Sequence, residues 1–326
     1  MKAIVVDQAS PTRALLWESV PEPQVGVTDL LIDVKAAGVN RADLRRAVAH
    51  FAATDKNRAS AAGLELAGEV LAVGANVVGF AVGDRVMAMA SNAFAERATI
   101  DYRFAFHVPQ AMTWVLAAAT PVSLITAHNA LITAGRFRGG ETVLVQAASS
   151  GAGIAAVQIA SLRGASNIFG TAGSPEKMAR LQQLGCNVAI NYRTDDAAAI
   201  IKQHTADRGV DVTVDLAGGD TLQRSVEAAA VHGRIVCAGR VAGVDVTFNI
   251  DEFSRKQLEM FGVTNRTRTL DERIGVAKAF REDLLPALGE GKIVPIVDSV
   301  FAMQEAEEAY AYMSSNKHFG KIVLQV

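Results

Sequence analysis

Between the apolar run ETVLVQAA (141–148) and the small-residue stretch GAGIAAVQIASLRG (151–164), the chain reads QAASSGAG at 146–153. Small residues at a strand-to-helix turn let the backbone approach a pyrophosphate. The helix that follows offers unpaired N–H groups and the positive end of its dipole. Ser149, Ser150, Gly151, Ala152, Gly153 and Ile154 are the candidate contacts. The stretch is not G-x-G-x-x-G, because Ser150 and an alanine stand where two of its glycines would be. A turn kept small for tight helix–strand packing is the competing reading.

The next apolar run, SNIFGTA (166–172), leads into GTAGSPEK (170–177). A sheet that binds NAD usually ends this second strand with an acid for the ribose 2′-hydroxyl. No acid stands here. Gly173 and Ser174 leave room and a donor, and the Lys177 ammonium would attract the 2′-phosphate that a carboxylate would repel. The residues therefore point to NADPH rather than NADH. Alternatively, Lys177 is an ordinary solvated helix lysine.

The elements that must position these groups follow from periodicity. Up to about Pro121 the sequence is a series of short β-branched runs (KAIVVD, DLLIDVKAAGV, LAGEVLAVGANVVG, DRVMAMA, FAERATI) punctuated by Gly, Pro and Asp, which predicts a rolled antiparallel sheet or barrel. WVLAAATPVSLITAHNALITAG (114–135), broken by Pro121, His128 and Asn129, predicts buried helices rather than a membrane span. Strand and helix then alternate through PEKMARLQQLG, NVAINY, VDVTVDLAG and GRIVCAG, as a doubly wound parallel sheet requires. VAGVDVTFNIDEF (241–253) reads as a further apolar strand near the sheet's end. After about residue 264 a helix over ERIGVAKAFREDLLPALGEG precedes IVPIVDSVFA and KIVLQV. The last strand has no place in the parallel sheet and is expected to return to the first domain.

Bulk properties narrow the function. The 326 residues are 50% hydrophobic and 20% charged, with a net charge of −2, so the chain can bury large cores and lacks the basic balance of a nucleic-acid or anionic-membrane partner. Cys186 and Cys237 form no metal or redox motif, and a reducing compartment fits them. The first residues enter a strand pattern without an apolar h-region, so no signal peptide is expected and a cytoplasmic location follows.

With these features in place, the chain resembles the medium-chain dehydrogenase/reductase superfamily, in its zinc-independent quinone oxidoreductase, zeta-crystallin-like branch. The stretches that carry the resemblance are AAGVNRAD (36–43), GLELAGEVLAVGANVVGFAVGDRV (63–86), QAASSGAGIAAVQIA (146–160), GTAGSPEK, NYR (191–193) and HFGKIVL (318–324). It implies an α/β fold: a GroES-like β-rich catalytic domain over residues 1–122 and 264–326, and a Rossmann doubly wound parallel-sheet domain over 123–263. It also implies that Asn40 and Thr126 lie at the nicotinamide end of the cofactor. Gly173, Ser174, Lys177 and Tyr192 then fall on the 2′-phosphate side. Ala217, Gly239, Arg240 and Val241 line the nicotinamide half, and Asn316 lies on the return segment near the cofactor. Asn40 is the one catalytic candidate, as a positioning group. Asn40 as a simple turn cap and Tyr192 as a boundary aromatic are the structural alternatives.

Two features depart from the branch. His128 stands where an aromatic usually follows the Thr-Ala pair, and LRRAVAHFAATDKNRAS after Asp43 lacks the usual Arg-x-Gly-x-Tyr run. Arg45, Phe51 and His128 are therefore the candidates to set acceptor preference. Compared with the zinc enzymes of the superfamily, Val39 or Asn40 replaces a liganding Cys and Leu64 a liganding His, while the structural-zinc cysteine cluster is missing. No metal is expected, and Glu65 reads as a buried or salt-bridged structural acid.

Without a Lewis acid, a quinone or α,β-unsaturated carbonyl is the easier hydride acceptor, since delocalisation spreads the charge. A group such as Asn40 or a backbone N–H would steady the developing enolate. An enoyl-thioester reductase of the same fold is the first rival reading, with Arg41, Arg45 and Arg46 as a basic groove. The second is a non-enzymatic NADPH-binding or RNA-binding protein, against which near-neutral charge and 6% aromatics count. Pairing of the 241–253 edge with its own copy predicts a two-fold homodimer.

Overall fold

The structure, a computed structural model, describes residues 1–6, 14–43 and 62–326. The chain divides into two compact units. One comprises Met1–Val122, Leu284–Gly289 and Pro295–Val326; the other comprises Ser123–Asp283 and Glu290–Val294.

The first unit is β-rich, as the short branched runs require. β1 (Lys2–Val6) pairs antiparallel with β2 (Leu15–Ser19). The long β3 (Asp29–Val39) lies between β4 (Glu65–Val73) and β6 (Arg97–Asp101), antiparallel to both. β5 (Arg85–Met89) continues the sheet from β4 to β7 (Ala105–His107). Alternation along β3 sends Leu30, Ile32 and Val34 into a core shared with Ile4, Leu66, Val70 and Phe94.

The second unit carries six parallel strands in the order β10-β9-β8-β11-β12-β13. They are β8 (Thr142–Gln146), β9 (Asn167–Ala172), β10 (Val188–Asn191), β11 (Val210–Asp215), β12 (Ala229–Cys237) and β13 (Glu259–Gly262). β9 and β10 are added on one side of β8 and β11 to β13 on the other, so strand order reverses beside β8. A crevice at the carboxyl end of β8 is the ligand position such a sheet offers.

The chain then re-enters the first unit through β14 (Val297–Ala302) and β15 (Lys321–Gln325). β15 is antiparallel to β3 and parallel to β14, so the terminal strand goes home as expected.

Two expectations change. The second unit extends to Asp283 rather than ending at residue 263. The helix Leu270–Asp283 is held there by Asp283, which meets His128 at 2.8 Å and Arg163 at 3.4 Å. Just ahead of the helix, Arg268 donates to Asn129 Oδ1 at 3.1 Å. The second change concerns 241–253, which is not a strand. It makes one parallel bridge, Gly218 to Gly243, before the short helix Ile250–Arg255, and the sheet ends on β13 instead. Its apolar alternation arises because Val246 and Phe248 pack on a cluster of Leu222, Val226, Ala229, Ile235 and Leu258. Asn249 N–H donating to Gln223 Oε1 at 2.8 Å ties down the segment's end.

Lys321 opens β15 and Glu65 opens β4, and their side chains are 6% and 0% exposed. They pair at 2.6 Å. A buried charge that loses its partner costs about 3–5 kcal/mol, whereas removing both charges from such a pair is often neutral. Lys321→Met should therefore lower unfolding stability by about 3–5 kcal/mol, and adding Glu65→Gln should recover most of that loss. Urea unfolding measures both. A Lys321→Met protein as stable as the native one would show that the pair is not the buried contact described.

Candidate functional site

In the second unit the turn after β8 is fixed to β9 by side chains. The Thr171 hydroxyl donates to Gln146 Oε1 at 2.9 Å and accepts from Ala147 N–H at 3.0 Å. Ala147 itself adopts φ 53°, a left-handed conformation uncommon outside glycine, so the turn is tightly prescribed. Ser150 then caps the helix Gly151–Leu162: its Oγ accepts from Gly153 N–H at 3.1 Å and donates to Ala147 O at 2.8 Å. Ile154 N–H is taken by Ser150 O. Of the candidates in this stretch, Gly151 and Ala152 lie in the first turn, between this cap and the first helical bond. Their N–H groups are the orphan donors such a terminus presents. Gly153 is explained by packing, since a Cβ there would fall 2.4 Å from Ala147 O.

Beside this turn, β9 ends at Ala172 with no acid. A Cβ on Gly173 would lie 2.8 Å from Tyr192 Oη, so the glycine makes room for the tyrosine ring. Ser174 caps the helix Pro175–Gln183, accepting from Lys177 N–H at 3.4 Å and leaving its own O–H to donate. Lys177 rises from the first turn of that helix. Two arginines that sequence reading did not single out join the cluster. The Arg193 guanidinium stacks 5.7 Å from the Tyr192 ring centroid, and Arg224 donates to Tyr192 O at 3.0 Å. Tyr192 is 41% exposed. Gly173, Ser174, Lys177 and Tyr192 thus gather at the ends of two adjacent strands, with cations around them.

Further along the sheet, the buried Asp215 carboxylate organises the loop after β11. It accepts from the N–H groups of Ala217 and Gly218 at 2.9 Å and from the Thr221 hydroxyl at 3.0 Å. Gly239 N–H reaches Asp215 O, and Ala242 N–H reaches Ala217 O. Ala217, Gly239, Arg240 and Val241 are therefore on two loops held together. An acid closing VDVTVD before Leu-Ala-Gly-Gly was the readable signal for Asp215. Thr126 is half-buried on the helix Pro121–His128. His128 is only 2% exposed, and its Nε2 lies 2.8 Å from Asp283 Oδ2. That structural pairing accounts for His128, and it is not carried forward as an acceptor contact.

In the first unit, Asn40 sits at the end of β3 in a closed network. Its backbone N–H donates to Asp43 Oδ2 at 2.8 Å. Its Nδ2 donates to Glu65 Oε1 at 2.8 Å and to Gly38 O at 3.2 Å, while its Oδ1 accepts from Lys321 Nζ at 2.8 Å. Lys321 also donates to Val39 O and Glu65 Oε1, and Glu65 Oε2 accepts from Val122 N–H at 2.8 Å. Gly38 leaves space for this carboxylate, since a Cβ would fall 2.4 Å from Glu65 Oε1.

Both Asn40 amide hydrogens are occupied. The side chain can accept a further hydrogen bond but has no N–H left for a developing enolate, which corrects that expectation. Arg41 donates through Nη2 to Asn316 Oδ1 at 2.6 Å and to Met313 O at 3.0 Å, so it joins Asn40's turn to the return segment. Arg45 and Phe51, with Arg46, lie outside the described residues.

Among the described residues, no group of three or more His, Cys, Asp or Glu side chains is arranged to hold a metal ion. No helix among them is long and apolar enough to cross a membrane.

Both units have known relatives. The alcohol dehydrogenase GroES-like domain family matches residues 26–110, and the zinc-binding dehydrogenase family matches residues 151–279. The chain is 30% identical over 322 residues to a phenolphthiocerol/phthiocerol polyketide synthase of Mycobacterium tuberculosis, covering 98% of this chain but only 14% of that protein. It is 27% identical to quinone oxidoreductase-like protein 2 of Bos taurus, covering 96% of this chain and 90% of the relative. Two solved structures are similar throughout. One is CurK enoyl reductase, with TM-score 0.86, 29% identity, and 99% and 98% of the two chains covered. The other is mycobacterial Rv1454c complexed with NADPH, with TM-score 0.88, 26% identity, and both chains fully covered.

Ser150→Ala removes the cap beneath the turn after β8 and should cost about 1 kcal/mol of stability, measured by denaturant midpoint; an unchanged midpoint would contradict the cap. The cysteines give a second check on the same sheet. Burial pushes the Cys186 thiol up to about 12. Burial, reinforced by Asp215, pushes Cys237 up to about 11. A raised thiol pKa keeps the neutral, unreactive form well above neutrality. At pH 8 a disulfide reagent should leave both cysteines unlabelled in the folded protein and label both after denaturation. Rapid labelling of native Cys237 would refute this.

Proposed function

The chain belongs to the medium-chain dehydrogenase/reductase family, in its quinone oxidoreductase branch, and on that premise we propose that it is an NADPH-dependent reductase of a quinone or α,β-unsaturated carbonyl compound. One observation carries the cofactor reading: β9 ends without an acid, beside Ser174, Lys177, Tyr192 and Arg193. A 2′-phosphate fits that cationic surface, and the strand end lacks the acid that would take a free ribose hydroxyl. The pyrophosphate would take the Gly151 and Ala152 N–H groups at the helix terminus. The similar Rv1454c structure holds NADPH, in keeping with this reading.

NADPH supplies a hydride when bound. The protein's part is binding, orientation and exclusion of water. Leu64 cannot ligate a metal, and Glu65 is occupied by Lys321, Asn40 and Val122 N–H, so the reduction is proposed to run without zinc. An acceptor whose conjugation disperses the incoming charge is then favoured over a plain ketone. Asn40 Oδ1, which accepts from Lys321, keeps a lone pair for a further donor. Proton delivery to the product is assigned to water.

The polyketide synthase relative and the CurK enoyl reductase favour a second reading, reduction of an enoyl thioester. Of the arginines named for its carrier phosphate, Arg41 is bonded through Nη2 to Asn316 and Met313, and Arg45 and Arg46 lie outside the described residues. The protein is also proposed to pair as a homodimer through the edge strand β13, since the terminal strand of a sheet can pair with its own copy.

Native protein should bind NADPH more tightly than NADH. Lys177→Ala should lose about 1–3 kcal/mol of NADPH affinity while NADH binding barely changes. Equal native affinities would sink the cofactor assignment. Purified protein should oxidise NADPH with quinones or enones and retain that activity with substoichiometric zinc after chelation. Turnover confined to enoyl thioesters would instead select the second reading. Light scattering should report twice 34.4 kDa, and a fully active monomer would exclude the dimer.

A further inference from the structure

We propose that Asp215 is a positioning residue for the dinucleotide, holding the loops after β11 and β12 in the shape that receives its nicotinamide half. This rests on the NADPH reading of the second unit, and every residue involved lies in that unit.

The strand order β10-β9-β8-β11-β12-β13 divides the sheet into two halves of three strands, which meet where β8 adjoins β11. A dinucleotide crosses such a sheet at that point, with one mononucleotide over each half. The groups suited to a 2′-phosphate, Ser174, Lys177 and Tyr192, stand after β9 and β10. The adenosine end therefore falls on that side. The loops after β11 and β12 remain for the nicotinamide end.

Those two loops are tied together by one residue. Asp215 is fully buried, and a carboxylate in such a place is tolerated only when donors surround it. Its Oδ1 accepts from the N–H groups of Ala217 and Gly218, both at 2.9 Å, and the Thr221 hydroxyl lies 3.0 Å from each carboxylate oxygen. Its main-chain O takes Ala238 N–H at 2.8 Å and Gly239 N–H at 3.1 Å from the second loop. The loops approach so closely that a Cβ on Gly239 would fall 1.7 Å from Leu216 O.

A buried polar chain carries this register towards β8. Thr221 O accepts from the Ser225 hydroxyl at 2.8 Å, and Ser225 Oγ accepts from Gln146 Nε2 at 3.4 Å. Gln146 Oε1 accepts from Thr171, which in turn accepts from Ala147 N–H in the turn after β8. Ser225 and Thr171 each spend their single hydrogen within the chain, which fixes its direction. That turn also keeps its own anchors in Thr171 and Ser150, so loss of Asp215 should leave the adenosine side intact.

The loop requires the shape of this side chain more than its charge. In Asp215→Asn the amide oxygen can still accept from Ala217 and Gly218. Its NH2 can donate to Thr221 Oγ1, whose own hydrogen goes to Gly218 O at 2.8 Å. Asp215→Ala removes all of these side-chain contacts.

Titration calorimetry compares NADPH with 2′,5′-ADP, which lacks the nicotinamide half, on native protein, Asp215→Asn and Asp215→Ala. Native protein should bind NADPH more tightly than 2′,5′-ADP. Asp215→Ala should weaken NADPH about tenfold, with 2′,5′-ADP unchanged within about twofold, and Asp215→Asn should stay within about twofold for both. If Asp215→Ala does not unfold cooperatively, Thr221→Val replaces it, removing the hydroxyl that closes the loop. NADPH should then weaken about fivefold, again with 2′,5′-ADP unchanged.

Native NADPH affinity in the alanine variant, or in the valine variant that replaces it, overturns the positioning role. Equal weakening of both ligands marks a general loss of structure and also overturns it. Asp215→Asn as weak as Asp215→Ala would assign the effect to charge and overturn it too. A native protein that binds 2′,5′-ADP as tightly as NADPH removes the nicotinamide contact while leaving the adenosine side standing. A native protein that binds neither ligand refutes the NADPH reading itself, and the inference with it.

Discussion

The first unit is organised around one buried ion pair. Taking a carboxylate and an ammonium out of water costs several kcal/mol per ion, and their attraction offsets this only when every remaining donor and lone pair is met. Lys321 and Glu65 meet that condition by drawing in four separate parts of the chain: the end of β3, the start of β4, the start of β15 and the residue Val122. The same condition requires Gly38, whose missing side chain admits the carboxylate. A solvent-facing salt bridge would impose none of this, since it contributes little and tolerates rearrangement.

The second unit depends on a comparable economy of polar groups at the carboxyl ends of its strands. Gln146 and Thr171 set the turn after β8, and Asp215 sets the loop after β11. Each anchors backbone N–H groups in loops that regular structure would leave unpaired. At that edge stand the helix terminus at Gly151 and Ala152 and the arginines Arg193 and Arg224 beside Tyr192.

Much of this was legible in the sequence. The strand–helix alternation from 141 to 237 marks the parallel sheet, helped by boundaries such as the Ser174 cap before the helix Pro175–Gln183 and Gly185 at φ 101° after it. The return of KIVLQV to the first unit followed from its having no partner elsewhere. What failed did so for physical reasons. The alternation at 241–253 is that of an extended segment draped over an apolar cluster, and periodicity alone cannot separate this from a strand. Lys321 reads as the polar entry to an apolar strand, and only tertiary structure shows it buried against Glu65. His128 has no nearby acid in sequence, because Asp283 is 155 residues away. Arg193 and Arg224 become candidates only once Tyr192 is placed between them.

Transfer of a hydride from NADPH to a conjugated carbon framework is the step on which the proposed function stands. The direct measurement incubates the protein with NADPH deuterated on one face of the nicotinamide C4 and an α,β-unsaturated carbonyl, and reads the product by mass spectrometry; quinones, whose hydroquinone products exchange the transferred hydrogen with water, are followed by NADPH oxidation. The expected result is one deuterium on carbon per enone reduced from one face of the cofactor and none from the other. A protein that binds NADPH yet neither oxidises it with any quinone nor transfers deuterium to any enone or enoyl thioester would contradict it.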